Sequence, residues 1–218
     1  MNIKKQMKMF EKILVLSPHP DDGELGCGGT MAKLIEDGRE VYYATFSLCE
    51  KSIPPGYPKD ILKSEVKKAT QVLGIKKDNL MIYNYEVREF PKLRQEILET
   101  LILIGKDIQP DVIFTPSLND LHQDHITITE ESLRAFKKCT ILGYEQPWNN
   151  ITFNTLAFIP LEEQHIRKKI DALKCYETQK NRDYVCEKFM IGIARTRGTP
   201  IIREYAEAFD VMKWIINL

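Results

Sequence analysis

Residues 12–46 read KILVLSPHPDDGELGCGGTMAKLIEDGREVYYATF, and the order of their parts decides the fold. The opening apolar run, 12–17, is bounded by Pro18 and too short for a helix, so it reads as a buried strand. Over 24–36 the apolar residues fall into helical spacing, with Gly38 as the stop, and 41–46 returns to a short apolar run. A strand, a helix of a dozen residues and a second strand form a crossover, which places the two strands parallel in one sheet.

The same unit recurs downstream. After the loop SIPPGYP, residues 59–73 predict a helix stopped by Gly74, and 80–83 a third strand. Apolar residues at 93, 97, 98, 101 and 104 lie on one face of a helix over 90–106, and 111–115 predicts a fourth strand. Beyond Thr140 the pattern loosens. ILGY and TLAFI read as strands around the polar turn EQPWNN, 161–180 as a helix, and AFDVMKWII as a closing strand. The expected class is α/β, a Rossmann-like three-layer sandwich with a mostly parallel sheet, in one domain over 1–218. No repeat, low-complexity tract or Gly/Ser linker interrupts it.

Composition narrows the function. Lys plus Arg and Asp plus Glu are both 31, and this balance argues against gripping nucleic acid or an anionic membrane through bulk charge. Hydrophobic residues at 43% and charged ones at 28% argue against disorder. The N-terminal MNIKKQMKMF has lysines but no leader-like apolar core behind them. The apolar stretches LETLILIG and VMKWIINL fall far short of the roughly 20 residues of a membrane span. Five scattered cysteines with no CxxC pair fit reduced thiols and a cytoplasmic protein. The closing WIINL suits either an ordinary strand end or an interface in a homo-oligomer.

In an open parallel sheet the ligand crevice lies beyond the carboxyl ends of the strands. Two loops predicted there hold three of the four histidines. Ser17-Pro18-His19-Pro20-Asp21-Asp22-Gly23-Glu24 follows the first strand, and Pro116-Ser117-Leu118-Asn119-Asp120-Leu121-His122-Gln123-Asp124-His125 follows the fourth. His19 and Asp22 are three apart in a proline-bounded loop, and His122 and His125 are three apart on one helical turn, so each pair can converge on a point. Two imidazoles and a carboxylate with an open position form the ligand set of a catalytic divalent metal, and zinc is the usual occupant.

His-Pro-Asp-Asp after the first strand, Gly28-Gly29 in the first helix and a downstream His-x-Asp-His resemble the LmbE/PIG-L family of zinc-dependent N-deacetylases. The C-terminal RTRG and YAEAFDV segments extend the resemblance over most of the chain. It implies His19, Asp22 and His125 as zinc ligands and Asp21 as general base. It also implies that a protonated His122 faces the amide carbonyl and that Asp124 stands behind the histidines as an orienting carboxylate. The substrate so implied is a small N-acetylated amino sugar or its conjugate. Gly23 departs from many relatives, which carry Glu or Ala there, and the acid one place later, Glu24, is expected to favour the helix N-terminus through its charge and not to be a ligand.

Around this centre, Glu50 in the loop after strand two is placed to touch substrate or to be solvated. Arg88 after strand three is placed to grip a phosphate or carboxylate, or to pair with a glutamate. Trp148 offers a face for a sugar ring. Arg195 and Arg197 carry no assigned role, and His165 reads as a surface residue. Two alternatives stand beside the deacetylase. One is a nucleotide-binding or regulatory module on the same sheet, disfavoured by two aspartates where a phosphate would sit. The other is a metal-dependent amidase for a non-sugar substrate.

Overall fold

A computed structural model describes residues 10–216. The first nine residues, on which the leader argument rests, and Asn217 and Leu218 of the closing WIINL lie outside the described residues. The elements run β1 (Lys12–Ser17), α1 (Asp22–Glu36), β2 (Glu40–Thr45), α2 (Ile61–Leu73), β3 (Leu80–Ile82), α3 (Arg94–Ile108) and β4 (Val112–Pro116). They continue through α4 (Gln123–Ala135), β5 (Thr140–Tyr144), β6 (Ala157–Leu161), α5 (Glu163–Leu173), α6 (Glu187–Gly198) and β7 (Tyr205–Lys213).

The seven strands form one sheet in the order β3-β2-β1-β4-β5-β7-β6. The first five strands run parallel to their neighbours, and β7 is antiparallel to both β5 and β6. Side chains on alternate positions of a strand face opposite sides, and β1 obeys this directly. Ile13 and Val15 enter a core with Met31 of α1, Val66 of α2 and Ala172 of α5, whereas Leu14 and Leu16 enter a second core with Leu101 of α3 and Ile128 of α4. Helices therefore cover both faces, giving three layers. The order reverses between β1 and β4, because the chain first moves outward through β2 and β3 and then returns to the other side. The carboxyl ends of β1 and β4 flank that switch point, where ligands bind in open α/β sheets.

Differences from the sequence-based expectation lie in the C-terminal third. The helix expected over 161–180 stops at Leu173, because the chain turns to bury Tyr176. A further helix, α6, was not expected. Its inward stripe is Met190, Ala194 and Gly198, only one of which is strongly hydrophobic. His165, expected at the surface, is buried, its Nδ1 accepting from the Glu162 backbone N–H at 2.9 Å. Among the described residues no helix is long and apolar enough to cross a membrane. All five cysteines are free.

Candidate active site

The loop between β1 and α1 is shaped by what lies under it. Ser17 Oγ donates to the His19 carbonyl at 2.5 Å and accepts from the Gly23 backbone N–H at 3.0 Å. The Tyr43 hydroxyl lies 2.8 Å from the same Oγ and against the Glu24 carboxylate, which also accepts from Tyr176 at 2.7 Å. A Cβ on residue 23 would meet the Tyr43 ring at 2.6 Å, so the position needs glycine. Glu24 is fully buried and faces this tyrosine pair, away from the donor cluster; burial lifts its carboxyl to about 7 despite the two hydrogen bonds. Asp21, at φ 89°, holds a left-handed conformation that is uncommon for a non-glycine residue. Strain of this kind collects at functional sites.

Above that support, side chains from the two loops meet. His19 Nδ1 lies 3.2 Å from Asp22 Oδ2, Asp22 Oδ2 lies 3.2 Å from His125 Nε2, and His125 Nε2 lies 3.2 Å from His19 Nδ1. A tetrahedral zinc with bonds of about 2.0–2.1 Å needs its ligands roughly 3.3–3.4 Å apart, so this triangle has the size and the donor types such an ion takes. The far nitrogens are also held. His19 Nε2 lies 2.9 Å from Asp124 Oδ2, and His125 Nδ1 lies 2.8 Å from Asp120 Oδ2. Carboxylates on the second ring nitrogen are what fix the orientation of metal-binding histidines.

Each of those carboxylates is itself fixed. Asp124 accepts from the Arg88 N–H at 2.7 Å, Asp120 from the His122 N–H at 2.8 Å, and Asp22 from the His19 N–H at 2.8 Å and Gln146 Nε2 at 2.9 Å. Electrostatics point the same way. Burial opposes a charge on His125, yet the Asp22 charge and the hydrogen bonds to Asp120 and Asp22 outweigh it and lift the imidazole to about 10. On His19, burial is likewise outweighed by hydrogen bonds to Asp124 and Asp22. The cluster thus favours positive charge at its centre. His19, His122 and His125 together present ring nitrogens within 4.8 Å of one another, a group able to hold a metal ion.

Asp21 differs from its neighbours. It is 8% exposed, and its carboxylate makes no hydrogen bond among the described residues. Burial, then the charges of Asp22 and Glu24, raise its pKa well above the ordinary range. His122 corrects one expectation. Burial and the charges of His125 and His19 lower it to about 4, so it is neutral at pH 7 and not the expected imidazolium. Its Nδ1 accepts from the Asp124 N–H at 3.2 Å, which assigns the ring proton to Nε2.

These groups form the floor of a cleft of about 340 Å³. Arg88 and Trp148 line its wall, and Trp148 stacks on Tyr184 at 3.9 Å. Glu50 does not reach this cleft; its carboxylate accepts from Asn84 Nδ2 at 3.0 Å and borders a separate depression. Arg197 and Arg195 are taken up by Glu145 and Glu204. Sequence reasoning missed Asp120, Gln146, Arg182 and Tyr184. Asp120 alone carried a signal, standing five residues before His125 in the motif loop.

Comparison with known proteins places the chain among deacetylase-like sequences and folds. The profile of the PIG-L family, described as GlcNAc-PI de-N-acetylase, matches residues 14–136. The chain is 29% identical over 171 residues to the uncharacterized deacetylase YaiS of Escherichia coli, covering 76% of this chain and 90% of that one. It is 24% identical to the probable N-acetyl-alpha-D-glucosaminyl L-malate deacetylase 2 of Bacillus anthracis, covering 96% and 93%. The fold matches N,N'-diacetylchitobiose deacetylase from Pyrococcus horikoshii with a TM-score of 0.80 at 22% identity, over 97% of this chain and 87% of that one.

Proposed function

This chain belongs to the PIG-L family, and from that premise we propose that it is an N-deacetylase hydrolysing the acetamide of an N-acetylated amino sugar or its conjugate. We assign zinc as its metal, held by His19, Asp22 and His125. The observation that carries the proposal is the triangle of three donors 3.2 Å apart, backed by Asp124 and Asp120 and left open toward the cleft. Zinc in such a site supplies a Lewis acid and acidifies water toward neutrality.

The chain's own residues supply the remaining steps. Asp21 has the free carboxylate of the floor, and burial with the neighbouring charges of Asp22 and Glu24 raises its affinity for a proton, as a general base requires. Its oxygen takes the proton of the water that adds to the acetamide carbonyl carbon. Negative charge then collects on the former carbonyl oxygen, and the Nε2–H of neutral His122 donates to it. The Asp21 carboxyl returns the proton to the amine nitrogen as the C–N bond breaks, releasing acetate and the free amino sugar. Asp124 and Asp120 keep both imidazoles in one orientation throughout. Five free thiols support a reducing, cytoplasmic setting.

The test is acetate release over a panel of N-acetylated sugars, nucleotide sugars and sugar conjugates. Turnover should vanish on chelation and return with zinc. Full activity in metal-free protein, or acetate from none of the panel, would overturn the proposal.

A further inference from the structure

The cleft floor explains the reaction, but two cations on its wall serve no step of it. Arg88 and Arg182 both line the cleft, and both are exposed. Of the nine arginines in the chain, Arg94, Arg134, Arg167, Arg195 and Arg197 are each paired with a glutamate. Arg88 and Arg182 are among the four with no such partner among the described residues. Each is oriented by a neutral hydroxyl: Arg88 Nη2 donates to Ser52 Oγ at 3.2 Å, and Arg182 Nη1 donates to the Tyr184 hydroxyl. A guanidinium positioned but not neutralised keeps most of its five donors for another partner.

The backbone at Arg88 adds a second, independent observation. Its φ is +70°, a left-handed conformation in which glycine or asparagine would be less strained. Its own N–H is the donor that fixes Asp124, so the segment is tied to the floor at this point. The anchoring needs only a backbone N–H, which nearly any residue supplies. A long cationic side chain at a strained position beside the reacting centre is therefore accounted for by what the side chain does. Arg182 arrives from the distant segment between α5 and α6 and lies over the ring of Tyr184, 5.6 Å from its centroid, and Tyr184 in turn stacks on Trp148. The carboxylates lining the cleft, Asp21 and Asp22, are both buried in the floor; the Arg182 charge acts on Asp21 through space, and neither carboxylate forms an ion pair with Arg88 or Arg182 among the described residues.

We propose that Arg88 and Arg182 form a subsite for an anionic group, a carboxylate or a phosphate, carried by the substrate beyond its acetamido sugar. This deepens the deacetylase assignment and rests on it. Guanidinium forks recognise both anions with paired hydrogen bonds, so the shared chemistry is an oxyanion.

The experiment compares the zinc-loaded full chain on three matched substrates: methyl N-acetylglucosaminide, its carboxymethyl counterpart and N-acetylglucosamine 1-phosphate. The anionic substrates should be favoured roughly 10- to 100-fold in kcat/KM, mostly through KM, the range expected for hydrogen bonds between ionised partners. Whichever anion gains more identifies the source. Arg88→Gln and Arg182→Gln should each narrow the anionic-to-neutral ratio, and high salt should do so in the unaltered protein. Because the readout is a ratio, a variant that merely disturbs the fold lowers both rates and leaves it unchanged. Calorimetric binding of the same three ligands to Asp21→Asn separates the two levels of the proposal. Anionic ligands bound no more tightly than the neutral one would remove the subsite, whatever the turnover. Acetate from none of the three, with anionic binding intact, would remove the deacetylase assignment and leave the subsite standing.

Discussion

The floor and the wall of the cleft are built on opposite principles. On the floor, His19, Asp22, Asp120, Asp124 and His125 come from two loops at the sheet's switch point, all are largely buried, and each is held by partners that are themselves held. On the wall, Arg88, Arg182 and Trp148 stand on longer loops, more exposed, with one or two neutral contacts each. A preorganised floor fixes the reaction class, because transition-state stabilisation needs groups already in place. An adaptable wall sets which molecule is presented to it. Substitutions on the floor should therefore change kcat, and those on the wall should change KM.

The largest expected effect is at Asp21. Asp21→Asn keeps the volume and removes the proton acceptor, so kcat should fall by roughly 10²- to 10⁴-fold, the usual share of general acid–base catalysis. Metal content measured by atomic emission should stay stoichiometric, since His19, Asp22 and His125 are untouched. A variant that loses its metal would make Asp21 a ligand and merge two roles kept apart here.

Next comes a stability effect beneath the floor. α1 breaks at Cys27, whose φ of −145° is not helical, and the freed N–H groups of Gly29 and Thr30 donate to Glu207 at 3.1 and 2.7 Å. Lys169 Nζ completes this buried cluster, 2.7 Å from the same carboxylate. Lys169→Met leaves Glu207 buried without its counter-charge and should cost about 3 kcal/mol. In a chain of this size that reads as a fall of roughly 6–12 °C in Tm. An unchanged Tm would show that the two backbone donors alone satisfy the carboxylate.

Asp120 gives the third effect. Asp120→Asn preserves the shape behind His125 but weakens its hold on the imidazole, and metal affinity or kcat should drop about 10- to 100-fold. Competition with a chromophoric chelator separates the two. A KM change alone would move Asp120 from the floor to the wall and break the division.

How far the sequence revealed each region follows the same division. The strand ends, the parallel order and the pairings of His19 with Asp22 and of His122 with His125 follow from short-range patterns, because apolar periodicity and motif spacing are local; the meeting of His19 and Asp22 with His125, 106 positions beyond His19, is implied by the family resemblance. The wall is not local. α5 ends at Leu173 because Tyr176 must enter the core to reach Glu24, 152 positions away in sequence, and no spacing within 161–180 announces that contact. With the helix overextended, Arg182 and Tyr184 lost their place at the cleft. Gln146 was hidden for a similar reason, since its amide meets Asp22 across 124 positions. Asp120 was visible in the motif loop, but its role depends on which His125 nitrogen it faces, and only the three-dimensional arrangement supplies that.

Trp148 carries the smallest expected effect and the most direct test of the division. Its indole stacks on Tyr184 with 12° between the rings, and Tyr184 in turn carries Arg182 at the cleft wall. Removing one aromatic partner forfeits about 0.5–1.5 kcal/mol beyond the loss of buried area. Trp148→Ala should accordingly raise KM roughly 3- to 10-fold, with kcat held, because Trp148 makes no hydrogen bond to the floor residues. Trp148→Phe, which keeps a face for stacking, should recover most of the loss. If kcat instead fell as far as in Asp120→Asn, the wall would be positioning the reacting acetamide and not only holding the rest of the substrate, and floor and wall would have to be treated as one catalytic unit.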